Sequence, residues 1–580
     1  MKTRVTFVLI FYLISLSIKA QKTGSESIGT QEVLVVKSYT PSLSDAFKII
    51  SSPMSPDSLL TKYKVLEFKI KSIPVVSTFV PNKATPLKLQ RRNSSTPHNT
   101  LFSFGFGVKS QLLMDVSSII ELDRTQRFGV KMYRDGFGGN LPNTILTSNQ
   151  QFSRLGIHHN LRNNDYNANT LLEFTNSKNN YFGLYERDWD NLLILTIDPS
   201  IRRNAFKIRT DWNWYDFVVR GIEFQVNLTS DNFNTSEQQL ALKADFEFEL
   251  GNGKITATTS LNGLNTVFQE AYFGREIQEE SMGVASIGLH WQSTFTDFKM
   301  KVGAGIAYSS KMDGFTNDLL YYPEIDFSYQ KKGLTIVPYF IAQGGVKLNS
   351  YQSLSSINPY LAPTTLLNPT FSNYNITLGV RSSLSSVLNF NFGFVFDQVE
   401  NFMLFERLPY DFSNNNDPYR LSNAFGNKYT NTNLYGFKAS LRFDLAKNNF
   451  IRFGTQYRYF DIMSPQILWN TPSLEMNWEG QLKWKENLTL TFQGSLLGDR
   501  TASYRPIFLN QLPENVRFEE ENIPLFISTS SHITYKISEQ FDVFIKLKLN
   551  SEGVHGRWSY FKEPSSLILA GLTYKFDFQY

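Results

Sequence analysis

The feature that most constrains this chain is an alternation of period two, sustained segment after segment. Leu240, Leu242, Ala244, Phe246, Phe248 and Leu250 occupy one phase, and Lys243, Asp245, Glu247 and Glu249 the other. Gly251-Asn252-Gly253 then turns the chain, and Ile255, Ala257 and Leu261 resume the apolar phase opposite Thr256, Thr258 and Ser260. Tyr435 to Leu445, Met476 to Trp484 and Leu488 to Leu496 repeat the pattern. Successive strand residues point to opposite faces, so such segments are strands with one apolar and one wet face; a helix needs a period of 3.6.

Composition decides what kind of sheet this is. Aromatics make up 15% of the 580 residues, with 49 Phe and 28 Tyr, yet only 41% of residues are hydrophobic. The mean hydropathy is −0.26. A helical membrane protein is far more apolar, whereas a barrel wall is apolar on one face and carries aromatic girdles. Tight turns are expected near Asn252, Thr296, Lys332, Ser385, Asn448, Glu486 and Glu539, and longer polar connections at 262–282, 309–317, 348–371, 404–429, 460–472, 499–523 and 551–565. Short and long connections alternate, which is the plan of an up-and-down antiparallel transmembrane β-barrel. Carried back to a first strand at Ser103–Lys109, with Tyr166–Tyr185 as one long strand, the count reaches about 22, an even number that puts both termini on one side, the periplasm. A propeller would show a repeat of about 40–50 residues, and none is visible; a soluble array of sandwiches would need linkers, and none interrupts 101–580.

Residues 1–20 read as a signal peptide. Met1-Lys2-Thr3-Arg4 is a basic start, Val5–Ile18 an apolar run too short for the roughly 20 residues of a spanning helix, and Ala20-Gln21 a cleavage junction. Residues 21–100 form a short, irregular N-terminal periplasmic segment, and 101–580 the barrel. There is no cysteine, which excludes disulfides, Cys-ligated metal and a lipid anchor on a mature N-terminal Cys. The formal charge of +5 falls to about +2 once Lys2, Arg4 and Lys19 leave with the leader, so the charge balance gives no case for nucleic acid.

The end of the chain is the most diagnostic segment. Ile568, Ala570, Leu572, Tyr574, Phe576, Phe578 and Tyr580 make one apolar-aromatic face that finishes on an aromatic residue. Leu572, Tyr574, Phe576, Phe578 and Tyr580 resemble the signal read by the outer-membrane assembly machinery. Near the other end stand Glu32-Val33-Leu34-Val35-Val36-Lys37-Ser38-Tyr39-Thr40-Pro41, Ser44-Asp45-Ala46-Phe47-Lys48-Ile49 and Ile73-Pro74-Val75-Val76-Ser77-Thr78-Phe79-Val80-Pro81-Asn82-Lys83. With the barrel pattern behind them, these segments resemble a family of Bacteroidota outer-membrane barrels grouped with TonB-dependent receptors. The resemblance implies an outer-membrane location, contact with its lipid, and TonB-linked transport. Glu32, Val33, Leu34, Val35 and Val36 faintly resemble a TonB box, and read equally as a short periplasmic strand.

One departure matters. A receptor with a barrel of this size carries a plug of well over a hundred residues, and only about 80 mature residues precede this barrel. A barrel of about 22 strands has a wide lumen. Its filling is expected from a reduced plug in 21–100, from infolded outer loops, from a partner, or from a flattened cross-section. The later half of that N-terminal segment is basic, with Lys62, Lys64, Lys69, Lys71, Lys83, Lys88, Arg91 and Arg92.

No cofactor and no catalytic constellation is legible. His158 and His159 are neighbours that strand geometry sends to opposite faces. Ser328-Tyr329-Gln330-Lys331 has a Ser-x-x-Lys spacing but ends a strand at a turn. Asp411, Asn414, Asn415, Asn416 and Asp417 offer oxygen ligands to a hard cation without the Gly and Glu of a calcium loop, and read as a turn-rich loop. Phe518-Glu519-Glu520-Glu521 beside Arg517 reads as a solvated charge run. The expected function is transport across the outer membrane, with a scaffold subunit of an assembly or export complex, or a passive porin, as alternatives; an enzyme is not expected.

Overall fold

The computed structural model describes residues 98–578 except 186–188, 190, 273–277, 311–318, 412–416, 463–466 and 505–518. The leader, most of the N-terminal segment with Glu32–Val36, and Tyr580 lie outside the described residues.

Twenty-two strands form one sheet that closes on itself. The first, Thr100–Gly107, bonds antiparallel both to its successor Gln111–Glu121 and to the last, Ser566–Phe576. A separate hairpin, Arg500–Tyr504 with Glu519–Ile523, stands outside the ring in the connection that follows Leu488–Leu497. Short connections such as 163–165, 251–252, 447–448 and 485–487 gather at one rim, with the long ones, among them 181–199, 348–369, 408–424 and 551–565, at the other. The tight turns expected from sequence all fall at the short-turn rim. Gly251, Asn448 and Lys485 there take positive φ (57°, 68° and 56°), as two- and three-residue hairpins of a right-twisted sheet require.

Several boundaries differ from expectation; the connection expected at 262–282, for one, narrows to 268–278. The first strand is Thr100–Gly107, because Lys109 and Ser110 turn the chain with φ of 58° and 54°. The strand from Tyr166 stops at Asn180, and 181–185 leave the wall, while the connection expected at 404–429 shortens to 408–424 because strands Leu388–Arg407 and Phe425–Ala446 run on past the apolar belt. Beyond the belt a strand no longer has one greasy face, so alternation stops marking its end.

The outward face carries aligned apolar rows. Met132, Leu155, Phe174, Phe206 and Leu228 are neighbours across five strands, and all are exposed. The inward face is polar and knitted by ion pairs: Arg452 to Glu479 (2.7 Å), Lys254 to Glu247 (2.8 Å), Arg209 to Glu223 (3.2 Å) and Lys301 to Glu324 (3.2 Å). An outward apolar and inward polar wall is the arrangement that lipid outside and water inside demand. Among the described residues no helix is long and apolar enough to cross a membrane.

At the closing seam, Phe102, Phe104 and Phe106 project outward beside Tyr574, Leu572 and Ala570, and Gly105 pairs with Gly571 on the inner side. A Cβ on Gly571 would lie 2.3 Å from the Phe104 carbonyl oxygen and 2.4 Å from the Phe544 ring, so the pair must stay glycine for the ring to lie across it. Leu113, Phe544 and Leu569 complete a small dry cluster over the seam.

Candidate functional site

Most of the buried hydrophobic side chains are gathered at the long-loop rim. Tyr181, Phe182 and Trp189 come from 181–199; Tyr351, Leu354, Leu361 and Leu367 from 348–369; Tyr419 and Leu421 from 408–424; Trp558 and Phe561 from 551–565. The Phe561 ring stacks on Tyr360 at 3.5 Å between centroids and meets Phe182 edge-on at 5.1 Å. Gly183 is required here, since a Cβ would come within 2.6 Å of the same Phe561 ring. The barrel has an apolar core of its own, built from the described parts of loops that bend inward across one mouth, an arrangement termed the seal. Of the ways to fill the lumen that the sequence left open, infolding of the loops is realised at this end.

Three polar anchors hold the seal. The first is Arg203, buried on the inner wall. It donates from Nε to the Tyr351 hydroxyl (3.1 Å), from Nη1 to the Pro359 carbonyl (2.7 Å) and from Nη2 to the Leu361 carbonyl (2.8 Å). Tyr351 in turn donates to Asp231 (2.8 Å). The second is Glu237, whose carboxylate accepts from the backbone of Tyr351 and Gln352 at the start of the short helix Tyr351–Ile357 and from Thr266 (2.9 Å). A carboxylate there satisfies N–H groups that the helix itself leaves open.

The third anchor is Arg407, only 2% exposed and bonded to no carboxylate in these contacts. It donates to the carbonyls of Ser422, Ser559 and Gly183, each from a different loop. Its guanidinium lies between the rings of Tyr185 (3.9 Å) and Tyr560 (4.7 Å). A flat cation with five donors suits this place; an ammonium could neither lie flat between rings nor fork toward three acceptors.

Around these anchors the titratable groups of the loops are shifted by enclosure. Burial holds the His555 imidazole below its ordinary value, opposed by nearby Glu521; its Nδ1 accepts from the Tyr560 backbone (3.2 Å). Burial and neighbouring Arg557 push Arg500 down to about 10. Burial raises the Glu563 carboxyl, with Lys548 at 3.9 Å opposing. Below the seal, a cavity of about 550 Å³ is roofed by Gln352, Ser355 and Ser356 and walled by Tyr133, Arg154 and Glu173.

The residues singled out in the sequence fall as follows. Leu572, Tyr574 and Phe576 lie on the last strand, with Leu572 and Tyr574 facing outward, and Phe578 follows it, exposed. Asp411 and Asp417 spend their carboxylates on Arg420 (2.8 Å from Asp417), while Asn414–Asn416 lie outside the described residues. Glu521 is not part of a solvated run: it accepts from the Tyr560 hydroxyl (2.8 Å) and approaches His555 at 3.5 Å. Ser328 is buried and accepts from Gln330 at the end of its strand, and His159 packs on Phe128 (5.2 Å). Arg203, Glu237 and Arg407 were not legible, since each is one more inward charge on a polar face. The available signal was position for two of them: Arg203 and Arg407 stand within a few residues of a long connection, whereas Glu237 follows the short turn 232–235.

No protein-family profile matches the sequence, and no curated protein does. The ring of strands itself is widely shared among solved structures. The barrel resembles those of TonB-dependent receptors. The FrpB iron transporter from Neisseria meningitidis superposes with a TM-score of 0.59 at 9% identity, covering 83% of this chain and 82% of that one. The siderophore receptor PirA from Acinetobacter baumannii gives 0.56 at 10% identity over 82% and 80%. The ferric enterobactin receptor PfeA from Pseudomonas aeruginosa gives 0.54 at 12% over 83% and 80%. At such identities the likeness is one of fold.

Proposed function

We propose that this chain is an outer-membrane barrel of the transport type, acting as TonB-dependent receptors do, with a mouth that its own loops keep shut at rest. The observation that carries this reading is the closed ring of 22 strands whose long-loop rim is sealed by a dry core over a polar lumen. A passive pore needs an open mouth, so the seal weighs against the porin alternative. In this reading the leader 1–20 exports the chain, Leu572, Tyr574, Phe576, Phe578 and Tyr580 present it to the assembly machinery, and both ends of the barrel lie in the periplasm. Residues 21–100 serve as a reduced periplasmic element, and Glu32–Val36 is its point of contact with TonB. The neighbours' cargoes, iron among them, make metal chelates the first class of ligand to test.

A second reading, a scaffold subunit of an assembly or export complex, draws support from Arg407, because three loops bonded to one enclosed cation suit a mouth that stays shut. Growth of a strain lacking the gene separates the two, using media limiting in iron, copper or glycan, with complementation by the full chain or by one lacking Glu32–Val36. Transport predicts a growth defect under one limitation that the full chain repairs and the deletion does not. Repair by both would remove TonB coupling from the reading. A defect independent of nutrient, together with stable partners on gentle extraction, would favour the scaffold.

A further inference from the structure

On the outward face of four adjacent strands, just beyond the apolar belt, three basic side chains stand together. On these strands the last outward apolar residues form the row Met132, Leu155, Phe174, Phe206 and Leu228, while on the strands beyond Arg134 the apolar face runs on through Met114, Phe104 and Leu572. Two residues further toward the long-loop rim, the cross-strand row reads Arg134, Ser153, Asn176, Asn204 and Ser230. Two residues beyond that it reads Gly136, Gln151, Lys178 and Arg202. That these side chains face out follows from their neighbours: Arg203 reaches the loops inside, and Glu173 and Arg154 line the cavity.

Lys178 and Arg202 are directly opposed across a strand pair, an arrangement that repels. Arg134 lies beside them, its guanidinium 3.5 Å from the Gln151 amide oxygen. Among the described residues none of the three has a carboxylate within ion-pair distance. The inward face of the same strands differs, since Arg154 meets Glu173 at 3.4 Å. Asn176, which donates to Asn204 (2.7 Å), and Ser153 supply neutral hydrogen-bonding groups between the charges.

Position along each strand points to the partner. A strand rises about 3.3 Å per residue and leans by roughly 40° in such barrels, so Arg134 stands about 5 Å, and Lys178 and Arg202 about 10 Å, nearer the long-loop rim than the last outward apolar residues of their own strands, Met132, Phe174 and Phe206. That is the depth of the phosphate groups at the edge of the hydrocarbon. We propose that Arg134, Lys178 and Arg202, with Gln151, Ser153 and Asn176, bind the phosphate of a lipid headgroup in the leaflet at the long-loop rim. With that rim outside, as the functional reading has it, the lipid is a phosphorylated glycolipid of the outer leaflet. The inference rests on that reading for the identity of the leaflet only.

The test uses the full chain in phosphatidylethanolamine nanodiscs containing lipid A or its dephosphorylated form, with retained glycolipid counted by native mass spectrometry. The wild-type protein retains lipid A and not the dephosphorylated form. Combining R134Q, K178Q and R202Q weakens retention about a hundredfold, the effect of three cations beside an anionic surface. The variant's heat-dependent shift on gels shows that its barrel has closed. Equal retention by the closed variant, or equal retention of the dephosphorylated form by the wild-type protein, would overturn the proposal. Orientation is read separately: the chain has no cysteine, so Glu552→Cys in a long loop, labelled on intact cells by an impermeant maleimide, reports which side that rim faces. An unlabelled Cys with lipid A still retained would refute the functional reading and leave the phosphate site standing.

Discussion

Lys546 Nζ lies 2.8 Å from Asp135 Oδ2, although three strands separate theirs around the wall. Strands stand about 4.8 Å apart, so the path between them along the wall is near 19 Å. The two can meet only because the wall folds sharply around the seam, where Gly105 and Gly571 leave room for the Phe544 ring. Asp135→Asn leaves Lys546 half-buried without its countercharge. The expected cost is about 1 kcal/mol, since lumen water screens the pair, seen as an earlier loss of the compact band in a heating series. Lys546→Met with Asp135→Asn recovers part of it; no recovery would show that the pair is not coupled.

Gly571 gives a sharper test of closure. Its Cβ position is occupied by a backbone oxygen and an aromatic ring, neither of which can move cheaply. Gly571→Val is expected to cost about 2–3 kcal/mol by overpacking and to lower the yield of closed barrel, measured as the heat-shifted fraction. Adding Phe544→Ala frees only the ring, so it restores less than half of that yield.

Loss of Arg407 attacks the seal and not the wall. Arg407→Ala leaves three enclosed carbonyls without donors, a loss of about 1–3 kcal/mol for each acceptor left unsatisfied. Planar-bilayer recordings of the wild-type chain are expected to be silent, and those of the variant to show conductance while the strands remain protected from hydrogen exchange. Arg407→Lys behaves like Ala. A silent Arg407→Ala would show that the remaining loop core seals unaided.

Acid weakens the seal through His555. Its folded-state pKa lies below the ordinary value near 6.5, so above that pH the imidazole is neutral in sealed and opened loops alike and its contribution is whole. As pH falls below 6.5 the opened loop takes up a proton that the sealed one resists, and the contribution is lost. Glu521 opposes this shift, while Arg407 and Arg500 reinforce it. Glu563 works the other way, its raised pKa meaning a contribution present at acid pH and lost as pH rises. The protection of amides in 551–565, taken as exchange relative to the base-catalysed intrinsic rate at each pH, should fall between about pH 7 and 5 and lose that slope in His555→Gln; a slope retained there points to another group. Glu563→Gln should slow exchange at neutral pH.

The loop 348–369 is expected to come free when its two wall anchors are removed together. Arg203→Met and Glu237→Gln each remove one attachment of the Tyr351–Ile357 helix, and both act on the same loop, so the double loss should exceed the sum of the singles. Protease nicking within 351–369, followed over time, reads this out; purely additive rates would mean the anchors are independent.

The wall was legible because lipid on one side and water on the other impose a rule that the residues from Leu242 to Leu250 obey. Strand ends were less legible, as Asn180 and Arg407 show: past the belt both faces meet polar or packed surroundings, and the alternation carries no information. Infolded loops were among the expected fillings of the lumen, but the residues that make the seal were not legible. Phe561 and Tyr181 sit in polar connections with no periodicity, and their burial depends on loops hundreds of residues apart arriving at one place. Arg407 looks like any loop-edge cation until Gly183, Ser422 and Ser559 surround it.

Those three carbonyls belong to connections near the beginning, the middle and the end of the barrel. The loop holding Ser559 leads directly into the last strand, which completes the circle by pairing with the first. The lock on the mouth therefore cannot be completed by a ring that lacks any of these three connections, the last of which adjoins the closing strand. A nascent or truncated ring is an open hole, and watertightness is acquired only together with completeness. For a cell envelope, that makes leakage an intrinsic mark of unfinished copies, distinguishing them from mature ones without any other label.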